Sequence, residues 1–222
     1  DVMSGGKRFF PGWPVGAEVV APNGRSGWLG QEVFGETGQS AWTFYGHNFL
    51  KYVLPAALGG TVDPDPVKAF AGFDINTAPE KAAELRQIID AADPDLTAFR
   101  KRGGKLLMYY GWADPQLNPM MGVEYYEQVL ATMGPEAPEF ARLFMVPGMF
   151  HCGGGVGPSR FDVTTPLIHW VEDGQAPAKI EAERVVDGKV VRTRPLCAYP
   201  AVAKYKGSGS IDEAANFTCA RP

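Results

Sequence analysis

Two side chains of this 222-residue chain are spaced to work as an acid and base pair. Asp114 follows the apolar run Lys105 to Tyr110 (KLLMYY) and the short loop Gly111-Trp112-Ala113. His151 follows a second run, Phe140 to Val146 (FARLFMV), and the loop Pro147-Gly148-Met149-Phe150. Short apolar runs bounded by turn residues suit buried parallel strands. In open α/β sheets, ligands bind outside the carboxyl ends of the strands. An Asp loop and then a His loop on successive strands is the second half of the Ser, Asp, His order of hydrolases. There, His takes a proton from a weak nucleophile and returns it to the leaving group, while Asp fixes the imidazole tautomer. Singly, each residue is ordinary: an Asp before Pro forms turns, and a lone His is often structural. Their shared placement at consecutive strand ends is what points to catalysis.

The nucleophile is the missing piece. No G-x-S-x-G occurs, and none of Ser4, Ser26, Ser40, Ser159, Ser208 and Ser210 follows a convincing strand and precedes a helix. Cys152 adjoins His151 in sequence, and adjacent side chains diverge, so a direct Cys and His couple is geometrically poor. His47 lies among aromatics, and His169 lies in a helical segment beside Trp170.

The elements that must position the pair read as strand, helix, strand, helix with short links, the pattern of α/β architecture. A helix with Tyr126, Val129, Leu130 and Met133 on one face joins the two strands, and one from about Asp162 to Asp173 follows. A hairpin, Ile180 to Val186 and Lys189 to Thr193, turns at Asp187-Gly188, a type I′ signal. The last ~25 residues read as loop, which frays unless tied; Cys197 and Cys219 sit near its ends. Upstream, Thr77-Ala78-Pro79-Glu80 reads as a capping box opening a helix with Leu85, Ile88, Ile89 and Ala92 on one face. Asp93-Pro94 breaks it, and Asp95 opens a short helix through Arg102. Residues 1–75 are irregular and aromatic-rich, with Trp13, Trp28, Trp42, Phe44 and Tyr45, and suit a packed layer or a lid over an apolar ligand. Residues 76–222 form the regular part.

Composition narrows the function classes. Apolar residues are 45% and charged residues 21%, enough for a buried core, and 27 Gly with 19 Pro imply long loops. The net charge is −4, and no basic block exceeds Arg100-Lys101-Arg102, so a nucleic-acid partner is not expected. No apolar run reaches the ~18 residues that cross a bilayer, so no membrane partner is expected. The opening Asp1-Val2-Met3-Ser4-Gly5-Gly6 has no initiator Met, basic n-region or apolar h-region. It is not a signal peptide, and the start is expected to come from processing, design or truncation. Three cysteines without a CxxC or a His/Cys cluster argue against structural zinc; in an oxidising compartment one is left over or paired outside the chain.

Three blocks carry a family resemblance: GGKLLMYYGWADPQLNP, VPGMFHCGGG, and RTRPLCAYP with YKGSGSIDEAANFTC. Together with the early GGKRFFPGWPVGAE, they resemble the tannase and feruloyl esterase family, in family order and over nearly the whole chain. The resemblance implies the carboxyl-terminal part of an α/β-hydrolase sheet plus the end of an inserted lid domain. It implies cleavage of esters of aromatic acids by a Ser, Asp, His triad, of which Asp114 and His151 match two members. The family's Cys-Ser pair is absent, so an upstream polypeptide of the same enzyme is the implied partner and a small aromatic ester the implied substrate. Cys152 matches the cysteine next to the catalytic His, which pairs with the one beside the nucleophile, outside this chain. The resemblance also implies a Cys197–Cys219 disulfide and a secreted or periplasmic location. No cofactor is implied in this chain; calcium belongs to the upstream lid, and Asp63-Pro64-Asp65 and Asp93-Pro94-Asp95 read as turns. Trp112, Met149 and Phe150 flank the two loops as candidate walls of the acyl site. Asn216-Phe217-Thr218 is a glycosylation sequon, usable only in a eukaryotic secretory host. On the residues alone, a non-catalytic binding module that keeps this half-site and a secreted structural domain are the rival readings.

Overall fold

The two apolar runs pair as expected. In the computed structural model, which describes residues 1–18, 27–29, 40–54 and 63–222, Leu106–Gly111 (β3) lies parallel to Ala141–Val146 (β4). The register runs from Leu106 opposite Ala141 to Gly111 opposite Val146. The crossover is the helix Met120–Met133 (α6), which ends at Gly134 with φ 75°, a conformation that suits glycine.

Alternation along the two strands sorts their side chains onto two faces. Leu106, Met108, Tyr110, Ala141, Leu143 and Met145 meet Val123, Tyr126 and Val129 of α6 in one core. The Tyr126 hydroxyl donates to the Ala141 carbonyl at 2.9 Å, so its buried oxygen is paired. On the opposite face Leu107, Tyr109, Phe144 and Val146 pack with Met149, Ile180, Ala182 and Leu196. The last three come from a hairpin, Lys179–Val186 (β5) and Lys189–Cys197 (β6). Its turn residues Asp187 and Gly188 both have positive φ, 49° and 76°, as a type I′ turn requires. The helix Thr164–Glu172 (α7) seals one side with Trp170, 1% exposed. His169 lies on its exposed side, bonded to Asp173.

The tail departs from expectation. Instead of loop, Val202–Tyr205 (β7) and Phe217–Ala220 (β8) form an antiparallel pair with Ala203 opposite Cys219. Neither four-residue segment is long enough to show a period. Their pairing is non-local, and the Cys197–Cys219 disulfide, Cα atoms 5.6 Å apart, joins β8 to the end of β6. The Asn216 amide of the sequon donates to the Ser210 carbonyl at 2.9 Å and is spent on the loop between the two strands.

The upstream helix also differs. Thr77 makes no side-chain cap; its hydroxyl donates to Asp74 Oδ2 at 2.8 Å. The segment breaks into Ala78–Lys81 (α3) and Ala83–Ile89 (α4). Its apolar stripe is left open, with Ile88 82% and Ile89 47% exposed. Leu85 does pack, with Leu50, Leu54, Ala69, Phe73 and Ala82, in a small core shared with the helices Ala41–Tyr52 (α1) and Pro66–Ala71 (α2). Asp95 accepts from Thr97 N at 2.9 Å and opens the short helix Thr97–Lys101 (α5). Ahead of these, Val2–Ser4 (β1) and Lys7–Phe10 (β2) form a hairpin. Arg8 pins it to α6 through Glu124, and the Ser4 hydroxyl donates to the Ile75 carbonyl at 2.9 Å. Ser26 and the Trp42 side chain lie outside the described residues. No described helix is long and apolar enough to cross a membrane.

The disulfide closes a loop with a sequence separation of 22. On the chain-entropy account, replacing both of its cysteines by Ser lowers unfolding free energy by about 3 kcal/mol. Urea titration of the variant against the parent checks this.

Candidate active site

Because β3 and β4 are parallel and in register, their carboxyl ends reach the same edge together. From there the chain makes two tight turns. Trp112 N donates to the Val146 carbonyl at 2.9 Å and Ala113 N to the Met149 carbonyl at 3.1 Å, so the two loops are bonded to each other before either functional side chain begins. Gly111 makes this approach possible: a Cβ there would collide with the carbonyls of Met149 and Phe150.

Asp114 is held at both carboxylate oxygens. Oδ1 accepts from Gln116 N at 2.8 Å and Leu117 N at 2.9 Å, an Asx turn closed by its own loop. Oδ2 lies 2.8 Å from His151 Nδ1. The acid side chain is 4% exposed and the base 38%. The carboxylate is thus shut away from water, while the imidazole opens outward. With Nδ1–H donating to Asp114, Nε2 is left as the acceptor. Asp114 is the one hydrogen-bond partner of the His151 ring among the described residues.

The His loop is pinned at its base. Met149 bridges Gly155, and Gly157 N donates to the Gly148 carbonyl at 3.1 Å. A Cβ at Gly155 would strike Gly148, and its φ is 89°, so only glycine fits that turn. Cys152, next to His151, is exposed, without a partner among the described residues, and has φ 41°. A left-handed backbone is uncommon for a residue with a Cβ and tends to be kept where a site needs it.

The three candidate wall residues separate. Met149, 1% exposed, is part of the core beneath the sheet. Phe150, 6% exposed, packs with Ala17, Ala113 and Trp28. Trp112 is half-buried against the α6 core and retains surface. His47 is remote in role, its Nε2 3.1 Å from the Asp63 carbonyl. Asp63, Asp65, Asp93 and Asp95 each accept a backbone N–H two residues on, which makes them turn formers. No group of three or more His, Cys, Asp or Glu suited to a metal ion occurs among the described residues.

Sequence reasoning passed over Asn118. It is 2% exposed, accepts from Met120 N at 3.0 Å at the start of α6, and donates from Nδ2 to the Pro11 carbonyl at 2.8 Å. The signal was present: an Asn before Pro favours turn initiation, though nothing in sequence discloses its contact with Pro11.

The parallel strand pair thus brings an Asp and a His together at successive carboxyl ends of an α/β sheet. The chain matches the tannase and feruloyl esterase family model over residues 2–220, and it belongs to that family. It is 47% identical over 163 residues to mono(2-hydroxyethyl) terephthalate hydrolase of Piscinibacter sakaiensis, covering 72% of this chain and 26% of that protein. It is 33% identical over 189 residues to a probable feruloyl esterase of Arthroderma benhamiae, covering 78% of this chain and 35% of that one. The chain thus spans about a quarter to a third of these relatives. Among solved structures, an esterase from Aspergillus oryzae superposes with a TM-score of 0.67 at 28% identity, over 79% of this chain and 37% of that one.

Gly111→Ala forces β3 away from the Met149 and Phe150 carbonyls. The expected cost is about 1–3 kcal/mol of stability, typical of overpacking. Chemical denaturation measures it, and a lengthened Asp114–His151 separation in a structure of the variant accompanies it.

Proposed function

We propose that this chain supplies the acid and the base of a carboxylic ester hydrolase that acts on small esters of aromatic acids. The 2.8 Å contact between Asp114 Oδ2 and His151 Nδ1, with the acid buried and the base open, carries the reading. Relatives named for hydrolysis of a terephthalate monoester and of feruloyl esters support the aromatic acyl group. His151 Nε2 takes the proton of a serine hydroxyl as its oxygen attacks the ester carbonyl. The imidazolium, held by Asp114, then returns the proton to the departing alcohol. Water repeats the sequence on the acyl-enzyme with His151 again as base. Of the three candidate wall residues, Trp112 is the one that retains surface to offer an acyl group.

The serine comes, on this reading, from an upstream polypeptide of the same enzyme. Two features support that. The run KLLMYY has the continuous apolar character of a strand buried on both faces and paired on both edges, yet β3 pairs with β4 alone among the described residues. Leu106 and Trp112 donate toward β4, so the alternate residues Leu107 and Tyr109 turn their backbone groups to the other edge. A groove of about 810 Å³ runs beside the same strand, lined by Phe9, Phe49, Phe73, Met108, Tyr110 and Tyr125. Apolar surface of this kind asks for cover. Cys152 then pairs with a cysteine adjoining that serine. The upstream segment would include the rest of the lid and the acidic residues for calcium; no step here passes through that ion. The Cys197–Cys219 disulfide supports a location outside the reducing cytosol, in the periplasm or medium.

The test compares residues 1–222 with a polypeptide extended upstream to include the Cys-Ser pair, on an ester of an aromatic acid. The extended form hydrolyses it and carries a disulfide at Cys152 by non-reducing peptide mapping, while residues 1–222 alone show no measurable turnover. Activity of residues 1–222 abolished by replacing one of their own serines overturns the proposal. In the extended form, Asp114→Asn keeps the Oδ1 bonds but presents an amide N–H to Nδ1, imposing the wrong tautomer. The expected loss in kcat is about 10⁴-fold, read by steady-state kinetics.

A further inference from the structure

We propose that segment 11–18 is a clamp that sets the Asp114–His151 distance, and that Asn118 is the positioning residue through which it acts on the acid. The inference rests on the hydrolase reading for its consequence in turnover but not for its geometry.

The acid loop, residues 114–119, is bonded mostly to itself. Asp114 N donates to Gly111, Oδ1 collects Gln116 and Leu117, and Met121 N donates to the Asn118 carbonyl at 3.0 Å. Such bonds hold the loop's shape; its ties to the His side lie at its start, through Trp112, Ala113 and Asp114, and leave its far end at Asn118 to be held by something else. The Asn118 side chain is its one hydrogen-bonded tie to the N-terminal segment among the described residues. That tie is well defined: the amide oxygen faces an N–H donor and the amide nitrogen a carbonyl acceptor, so its orientation follows from its partners. Both Asn118 and Pro11 are buried, where a lost partner is not replaced by water.

The same segment reaches the base. Six residues past Pro11, Ala17 packs against Ala113 and Phe150, the neighbours of Asp114 and His151. Trp28 joins that cluster, its backbone N–H bonded to the Ala17 carbonyl at 3.0 Å and its ring stacked on Trp13 at 5.9 Å. One short stretch therefore grips the acid loop by a polar bond at Pro11 and the base loop by apolar contact at Ala17. The hairpin before it is fastened to α6 through Arg8 and Glu124, so the clamp has a fixed end.

Two variants, one shorter and one isosteric, separate positioning from simple capping. Asn118→Ser keeps an acceptor for Met120 N but is too short for Pro11. Asn118→Asp keeps the length but sets an oxygen against the Pro11 carbonyl. Each is made in the upstream-extended polypeptide and read two ways: the downfield proton resonance of the His151 Nδ1–H, and the split of kcat against KM on an aromatic ester. The proposal expects the resonance to broaden or vanish in both variants with the rest of the spectrum preserved. It also expects kcat to fall about tenfold with KM unchanged, as misplacement far from the chemistry does. An unaltered resonance in both variants overturns it, and so does loss of the whole folded spectrum, which makes Asn118 a general stability residue. If the resonance responds but no ester is cleaved even by the parent, the clamp stands and the hydrolase reading falls.

Discussion

Six backbone pairs, Leu106 with Ala141 through Gly111 with Val146, decide where everything else in this chain can go. A parallel ladder has no tight turn between its strands, so residues 112–140 must cross over, and α6 is that crossover. Pairing in register brings both carboxyl ends to one line, and the loops that leave them are at once neighbours. The ladder also assigns faces: a slip of one residue would send Phe144 and Val146 into the α6 core and Leu143 and Met145 under the hairpin. Phe144, Val146 and Leu143 are each 0% exposed, so such a slip is strongly disfavoured.

The two faces are covered by different means. On one, a single long helix brings Val123, Tyr126 and Val129 against the sheet, with Tyr126 buried and its hydroxyl paired. On the other, the twisted β5 and β6 hairpin supplies Ile180, Ala182 and Leu196. Its far end is continued by Ala198, which bridges Phe144, and by Tyr199, whose N–H donates to the Leu143 carbonyl at 2.8 Å. The outer edge of β4 is therefore capped locally. The Tyr199 ring stacks edge-on to Tyr126, and its hydroxyl donates to Glu127 at 2.6 Å. Partial burial and that carboxylate push the phenol up to about 12. The tail thereby holds α6 as well as the sheet, linking the disulfide-tied end of the chain to the core beneath the site.

The site inherits an asymmetry from this arrangement. Asp114 sits inside a loop that satisfies its carboxylate three times over, with two backbone donors and one imidazole. These bonds leave neither oxygen of the buried carboxylate without a partner. His151 has one such tie and an open side. A fixed Asp114 and a His151 open on one face fit the division of labour that the proposed acyl transfer requires. The glycines of the His loop keep its two ends against each other, so the imidazole projects from a narrow base.

Much of this was legible in residue order. The strands, the crossover helix, the type I′ hairpin and the Asp and His at consecutive strand ends all follow from period, turn chemistry and apolar runs, which act over a few neighbouring residues. The capping box expected at Thr77 is not formed because Asp74, three residues back, takes the Thr hydroxyl, a local competition that a capping pattern does not disclose. The β7 and β8 pair was invisible because each strand gains its stability from a partner more than ten residues away, not from its own sequence. Asn118 drew no notice in the sequence, Gly111 read as punctuation and Met149 as a wall. Their roles as brace, close-approach point and core member depend on what the fold sets against them. Sequence alone determined which groups can do chemistry and which edge of the sheet they occupy, since both are written in residue type and strand polarity. Tertiary structure alone decided their 2.8 Å separation and the burial of one with exposure of the other, because distance and solvent access belong to pairs of residues that meet only when the chain has folded.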